Sequence, residues 1–111
     1  MNPMKTKKLT SHDRKQLRQI AHHLDPVVIV GDHGVSDALI AETDRALTDH
    51  ELIKIKVQNT DREARATAAE ALASACHAEI VQSIGKIRVL YRRNPDAKPR
   101  LSNLARFGVK A

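Results

Sequence analysis

The stretch VVIVGDHGVSDALI, Val27 to Ile40, changes its hydrophobic period partway along. Val27 to Val30 is a continuous β-branched run, as expected of a strand buried on both faces. Beyond Val35 the spacing becomes helical: Leu39, Ile40, Thr43, Ala46 and Leu47 form one stripe of a helix over about residues 36–49. Gly31 and Gly34 stand at the junction. Glycine permits positive φ and close approach by another backbone. Successive amides in such a turn, backed by a helix terminus, make a concave anion site. The segment lacks the spacing and the Lys of GxxxxGK[ST], and it lacks the GxGxxG of a dinucleotide fold.

Working outward, Thr10 reads as a helix N-cap with Asp13 completing a capping box. Leu17, Ile20, Ala21 and Leu24 then form an apolar stripe, while Arg14, Lys15 and Arg18 occupy the other face of that first helix. Pro26 is expected to end it, because the residue before a proline disfavours the α region. LIKIKV, Leu52 to Val57, alternates: Ile53, Ile55 and Val57 face one way, Lys54 and Lys56 the other. That is a strand with one wet face. TDRE, Thr60 to Glu63, reads as a capping box opening an alanine-rich helix to about Cys76. EIVQSI and KIRVLY are two strands of a hairpin around Gly85. In the second of these, Ile87, Val89 and Tyr91 share a face, opposite Lys86, Arg88, Leu90 and Arg92. The order α-β-α-β-α-β-β predicts a compact α/β domain with a four-stranded mixed sheet, built from parallel crossovers and a terminal antiparallel pair.

Charge is distributed unevenly within the net +6. Residues 1–24 carry six Lys/Arg and one acid; residues 92–111 carry six against Asp96 alone; the body between them is net acidic, with seven Lys/Arg and eleven acids. Such asymmetry suits an anionic partner held by particular surfaces, with plain solubility as the alternative. At 111 residues the chain has room for one domain and one core. No apolar run reaches membrane-span length, the N-terminus carries no secretory signal, and Cys76 is the only cysteine, so a cytoplasmic location is expected.

Enzymatic readings lack support. The six histidines show no metal-ligand spacing, and His22 and His23, being adjacent, point to different sides of a helix. Cys76 has no evident base partner, and Asp61, Glu63 and Glu70 are explained by capping and a solvated helix face. No metal, cofactor or small-molecule substrate is expected. The single GxxG is either a structural turn or a clamp on a nucleic-acid backbone like that of KH domains, although the KH loop joins two helices and this one joins a strand to a helix.

Four segments, LDPVVIVGDHGVSDALI, HELIKIKV, TDRE and QSIGKIRVLYRR, together resemble a CRM domain (chloroplast RNA splicing and ribosome maturation), most closely in its bacterial single-domain, YhbY-type form. The resemblance implies a domain over residues 9–93, similar in fold to the C-terminal domain of translation initiation factor three. It also implies RNA binding and association with ribosomal RNA in precursors of the large subunit. The family's GxxG loop corresponds to Gly31, Asp32, His33 and Gly34, and its basic strand residues to Lys54, Lys56 and Arg92. Asp32 departs from the basic or neutral polar residue that members often carry there, and a carboxylate beside phosphate is repulsive. The clamp is therefore expected to be weaker than in such members, with partial compensation from His33 by hydrogen bonding or protonation.

The expected interface therefore comprises Gly31, Asp32, His33, Gly34, Lys54, Lys56, Arg88 and Arg92, with Lys15 and Arg18 from the first helix. If the two basic strands are neighbours, Lys54, Lys56, Arg88 and Arg92 become contiguous. With Tyr91 and Phe107 the only aromatics, backbone and shape recognition should outweigh base stacking on an aromatic platform. Residues 94–111 are expected to form a basic, flexible tail outside the domain, with docking through a short helical turn at Leu101, Leu104 and Phe107 as the alternative. The expected function is stoichiometric assembly of the large subunit, with a protein-interaction module lacking RNA specificity as the alternative.

Overall fold

The computed structural model describes residues 9–107. Thr10 opens the first helix as its sequence requires: its hydroxyl accepts from the Asp13 amide and its own amide donates to the Asp13 carboxylate, each at 3.0 Å. Two orphan amides are satisfied at once. Helix α1 (Ser11–Ala21) is followed by β1 (Pro26–Val30), α2 (Asp37–His50), β2 (Leu52–Val57), α3 (Arg62–Ala75), β3 (Glu79–Ile84), β4 (Ile87–Tyr91) and a short α4 (Asn103–Arg106).

The four strands form one sheet in the order β1-β2-β4-β3, with β1 parallel to β2 and the remaining pairs antiparallel. Both α2 and α3 lie on one face. There Val30, Ile55 and Val57 of the sheet meet Leu47 of α2 and Ala69 and Leu72 of α3, all fully buried. Complete burial of an aliphatic side chain such as Leu47 is worth roughly 1.5–3 kcal/mol. Thr43, also fully buried, donates its hydroxyl to the Leu39 carbonyl at 2.8 Å, so its own polar group is satisfied. On the opposite face Leu52, Val81 and Val89 pack against Leu17, Ile20 and Ala21 of α1 and against Leu104 of α4.

Several sequence expectations need correction. Helix α1 ends at Ala21 and not near Pro26; the His23 and Leu24 amides bond back to the Ile20 and Ala21 carbonyls, and Pro26 begins β1. A proline is tolerated at a strand's first position, where no ladder donor is needed. The cap of α3 is Asp61, whose carboxylate accepts from the Ala64 amide at 3.1 Å; Thr60 stays in the preceding loop, its carbonyl held by Arg65 at 2.9 Å. Strand β1 is not buried on both faces. Val28 and Val30 are, but Val27 and Ile29 are 50% and 57% exposed. The reason is placement: β1 is an edge strand, and α1 packs over β2 and β3 instead.

The expected loose tail beyond residue 93 is folded back through residue 107. Glu51, at the C-cap of α2, receives the Asn94 amide at 2.8 Å and the Ser102 hydroxyl at 2.7 Å. The Asn103 amide nitrogen donates to the Leu52 carbonyl at 2.6 Å, and Leu104 is buried. Residues 108–111 of that expected tail lie outside the described residues. No helix among the described residues is long and apolar enough to cross a membrane.

Candidate nucleic-acid interface

Gly31 leaves β1 and enters a turn closed by a hydrogen bond from the Gly34 amide to the Gly31 carbonyl at 3.2 Å. Asp32 and His33 are the exposed central residues of that turn. Gly34 adopts φ +81, a conformation that strains any L side chain, whereas Gly31 does not use the left-handed region. A Cβ at either glycine would meet nothing within 4 Å, so both face open space. Ser36 follows as the N-cap of α2, its hydroxyl accepting from the Leu39 amide at 3.1 Å. The loop thus offers bare main chain and a helix terminus to an approaching anion, with Asp32 and Asp37 as the local opposing charges.

Strand register fixes the position of the lysines relative to this loop. Ile29 pairs with Lys56 and Val30 with Val57, so Lys56 stands beside the last turn-ward residues of β1. Because Ile53, Ile55 and Val57 point into the core under α2 and α3, Lys54 and Lys56 project from the other face. Lys56 is exposed and Lys54 half-buried; neither forms an ion pair among the described residues. Helix α1 rides on that same face, and its Lys15 and Arg18 line a shallow open cleft with Gln19, His22 and His23. The His23 ring stacks on Phe107 with centroids 5.8 Å apart.

The expectation that four strand cations are contiguous fails, although β2 and β4 are indeed neighbours. Ile55 pairs with Arg88, and paired residues share a face, so Arg88 lies on the side of α2 and α3. It is only 7% exposed and donates to the Gly85 and Ile87 carbonyls at 2.8 and 3.0 Å. Burial, then the neighbouring Arg65 guanidinium, pushes its pKa below the ordinary arginine value. Arg92 is likewise committed: it bridges Asp44 of α2 at 2.6 Å and the Cys76 carbonyl at the end of α3 at 2.8 Å. Both arginines bind the fold together on the face away from Lys54 and Lys56.

Sequence reading passed over Lys86. It sits exposed in the hairpin turn, and its carbonyl accepts the Val57 amide at 2.7 Å, which brings it next to the end of β2. Only the β2–β4 pairing reveals that proximity, and no local pattern encodes it. Cys76 is buried, its thiol pushed up by burial and by Asp44 against the lowering effect of Arg92, the reverse of an activated nucleophile.

The model of the CRS1/YhbY (CRM) domain family matches residues 9–92, and the chain belongs to that family. A Pseudomonas aeruginosa protein named "Probable RNA-binding protein PA4753" is 43% identical over 99 residues, covering 89% of this chain and 95% of its own. A Haemophilus influenzae protein named "RNA-binding protein" is 42% identical over 93 residues, covering 84% of this chain and 94% of its own. The solution structure of the hypothetical protein SAV1595 from Staphylococcus aureus is similar at 34% identity with a TM-score of 0.71, covering 82% of this chain and 95% of that one.

Proposed function

We propose that this chain is a cytoplasmic RNA-binding protein that associates with ribosomal RNA in large-subunit precursors and acts stoichiometrically during assembly, without catalysis. One observation carries the reading: Lys54 and Lys56, without an ion pair among the described residues, project from the sheet face beside a Gly31–Gly34 turn whose glycines face open space. A phosphate oxygen approaching the turn meets main-chain amides and then ammonium groups, and no carboxylate among the described residues pairs with those groups first. Lys15 and Arg18 extend the positive surface along α1 on the same side of the sheet. The names of the relatives and the family's membership support RNA as the partner. The large-subunit precursor enters from the resemblance of the motifs to the family.

The test is affinity against salt for purified protein and a large-subunit RNA fragment. With four phosphate-directed cations, the logarithm of the association constant should fall with a slope of about −3 against the logarithm of salt on a single-stranded target. A flat response would favour the protein-interaction module. Gly34→Val forces a β-branched residue to φ +81 and should weaken binding without altering charge. Gly31→Val separates occlusion from strain, because its backbone accepts a side chain and its Cβ meets nothing. If both folded variants bind as the parent does, the turn is no clamp.

A further inference from the structure

The face that carries Lys54 and Lys56 has a second property that charge alone does not explain. The register of three strand pairs lines up one row across the whole sheet, Ile29–Lys56–Ile87–Ile84. At its two ends Ile29 is 57% and Ile84 59% exposed, and Ile87 between them is half-buried. Helix α1 covers the other end of this face, over Leu52 and Val89, and leaves this row open. Large aliphatic side chains exposed together on one surface point to a ligand or a partner.

We propose that this row receives unpaired RNA bases, which lie with their faces against Ile29, Ile87 and Ile84 while the backbone runs past Lys56 toward the Gly31–Gly34 turn. The inference deepens the RNA reading above and rests on it. Charge complementarity selects the occupant: the row and the next one, Pro26–Lys54–Val89–Gln82, contain two lysines and no acid. The row is also continuous with the turn, since Ile29 lies two residues before Gly31. Its dimensions fit. Four strands at their usual spacing span about 14 Å, room for two or three bases, as on other four-stranded RNA-binding sheets. Those sheets stack bases on aromatic rings, whereas this one offers aliphatic branches and the methylene stems of lysines. Duplex RNA cannot use such a floor, because its bases are turned inward.

The experiment compares a short single-stranded RNA of mixed sequence, the same oligonucleotide with abasic riboses, and a perfect RNA duplex. Each is titrated against the parent protein and the double variant Ile29→Thr/Ile84→Thr, which keeps β-branched strand residues and net charge. The double variant should bind the single strand about tenfold more weakly at every salt concentration, with an unchanged salt slope, because apolar contact and not counterion release is lost. Its affinity for the abasic strand and the duplex should equal the parent's. Ile84→Tyr, which adds a stacking ring to an exposed edge position, should tighten single-strand binding. Equal weakening on all three ligands, or no weakening on any, overturns the base floor while leaving the salt-dependent RNA reading intact. A concentration-dependent dimer abolished by the double variant also overturns it, since the row would then be covered by a second copy. Failure of the parent to bind any of the three removes both readings together.

Discussion

Glu51 takes φ +62, a backbone region that costs a non-glycine residue of order 1–3 kcal/mol, and the fold uses a buried carboxylate there anyway. The compensation is visible in its partners. One oxygen accepts the Asn94 amide and the other the Ser102 hydroxyl, so a single side chain anchors the segment that follows the hairpin at two points. Its own carbonyl accepts the Arg92 amide at 2.9 Å. Glu51→Gln replaces one acceptor by a donor and faces it toward a donor. That variant should lose roughly 1–3 kcal/mol in urea unfolding, with RNA affinity unchanged, because Glu51 lies under the returning segment and away from the sheet's open row. Retention of full stability would mean that the two hydrogen bonds contribute nothing.

At the scale of elements, β2 and β4 divide the cations into two groups with different work. Arg92→Ala removes contacts to Asp44, Thr48 and the Cys76 carbonyl and should cost about 1–3 kcal/mol of stability while changing RNA affinity little. Lys56→Ala should do the opposite, leaving stability within about 0.5 kcal/mol and lowering the salt slope of binding by about 0.7. Thermal unfolding and salt titration on the same two variants check both statements; matching profiles would show that the faces are not separate. The sequence announces the alternation of LIKIKV because lysines mark the wet side directly, and the Thr10–Asp13 pair because capping is local. Val27 to Val30 carries no polar residue on either side, so nothing in it tells which face α1 leaves bare. Arg88 in β4 and Arg92 just beyond it share their register with Leu90, and Leu90 is fully buried under α2 and α3. Which face of β4 lies beside Lys54 is a property of the pairing, which residues 87–91 do not contain. The capping position of α3 escaped for a related reason: Thr60 and Asp61 are both competent, and Arg65 settles the matter by holding the Asn59 and Thr60 carbonyls in the loop.

At the scale of the whole molecule, the sheet has a complete core on one side and a partial one on the other, and the partial core depends on both ends of the chain. Leu17 and Ile20 come from the first helix and Leu104 from the last. Deleting residues 94–111 should therefore lower stability by about 2–5 kcal/mol, the usual cost of emptying a buried leucine site, beyond what loss of surface residues would cause. Unchanged unfolding of the truncated chain would assign the returning segment no part in the core. The strand order has a consequence for how the molecule is made. Strands β2 and β3 each pair with β4, and β4 is the last strand in the chain, inserted between them. During vectorial synthesis β1 and β2 can pair early, but β3 has no strand to pair with until Tyr91 has left the exit tunnel. The open row Ile29–Lys56–Ile87–Ile84 thus becomes continuous only on insertion of the final strand.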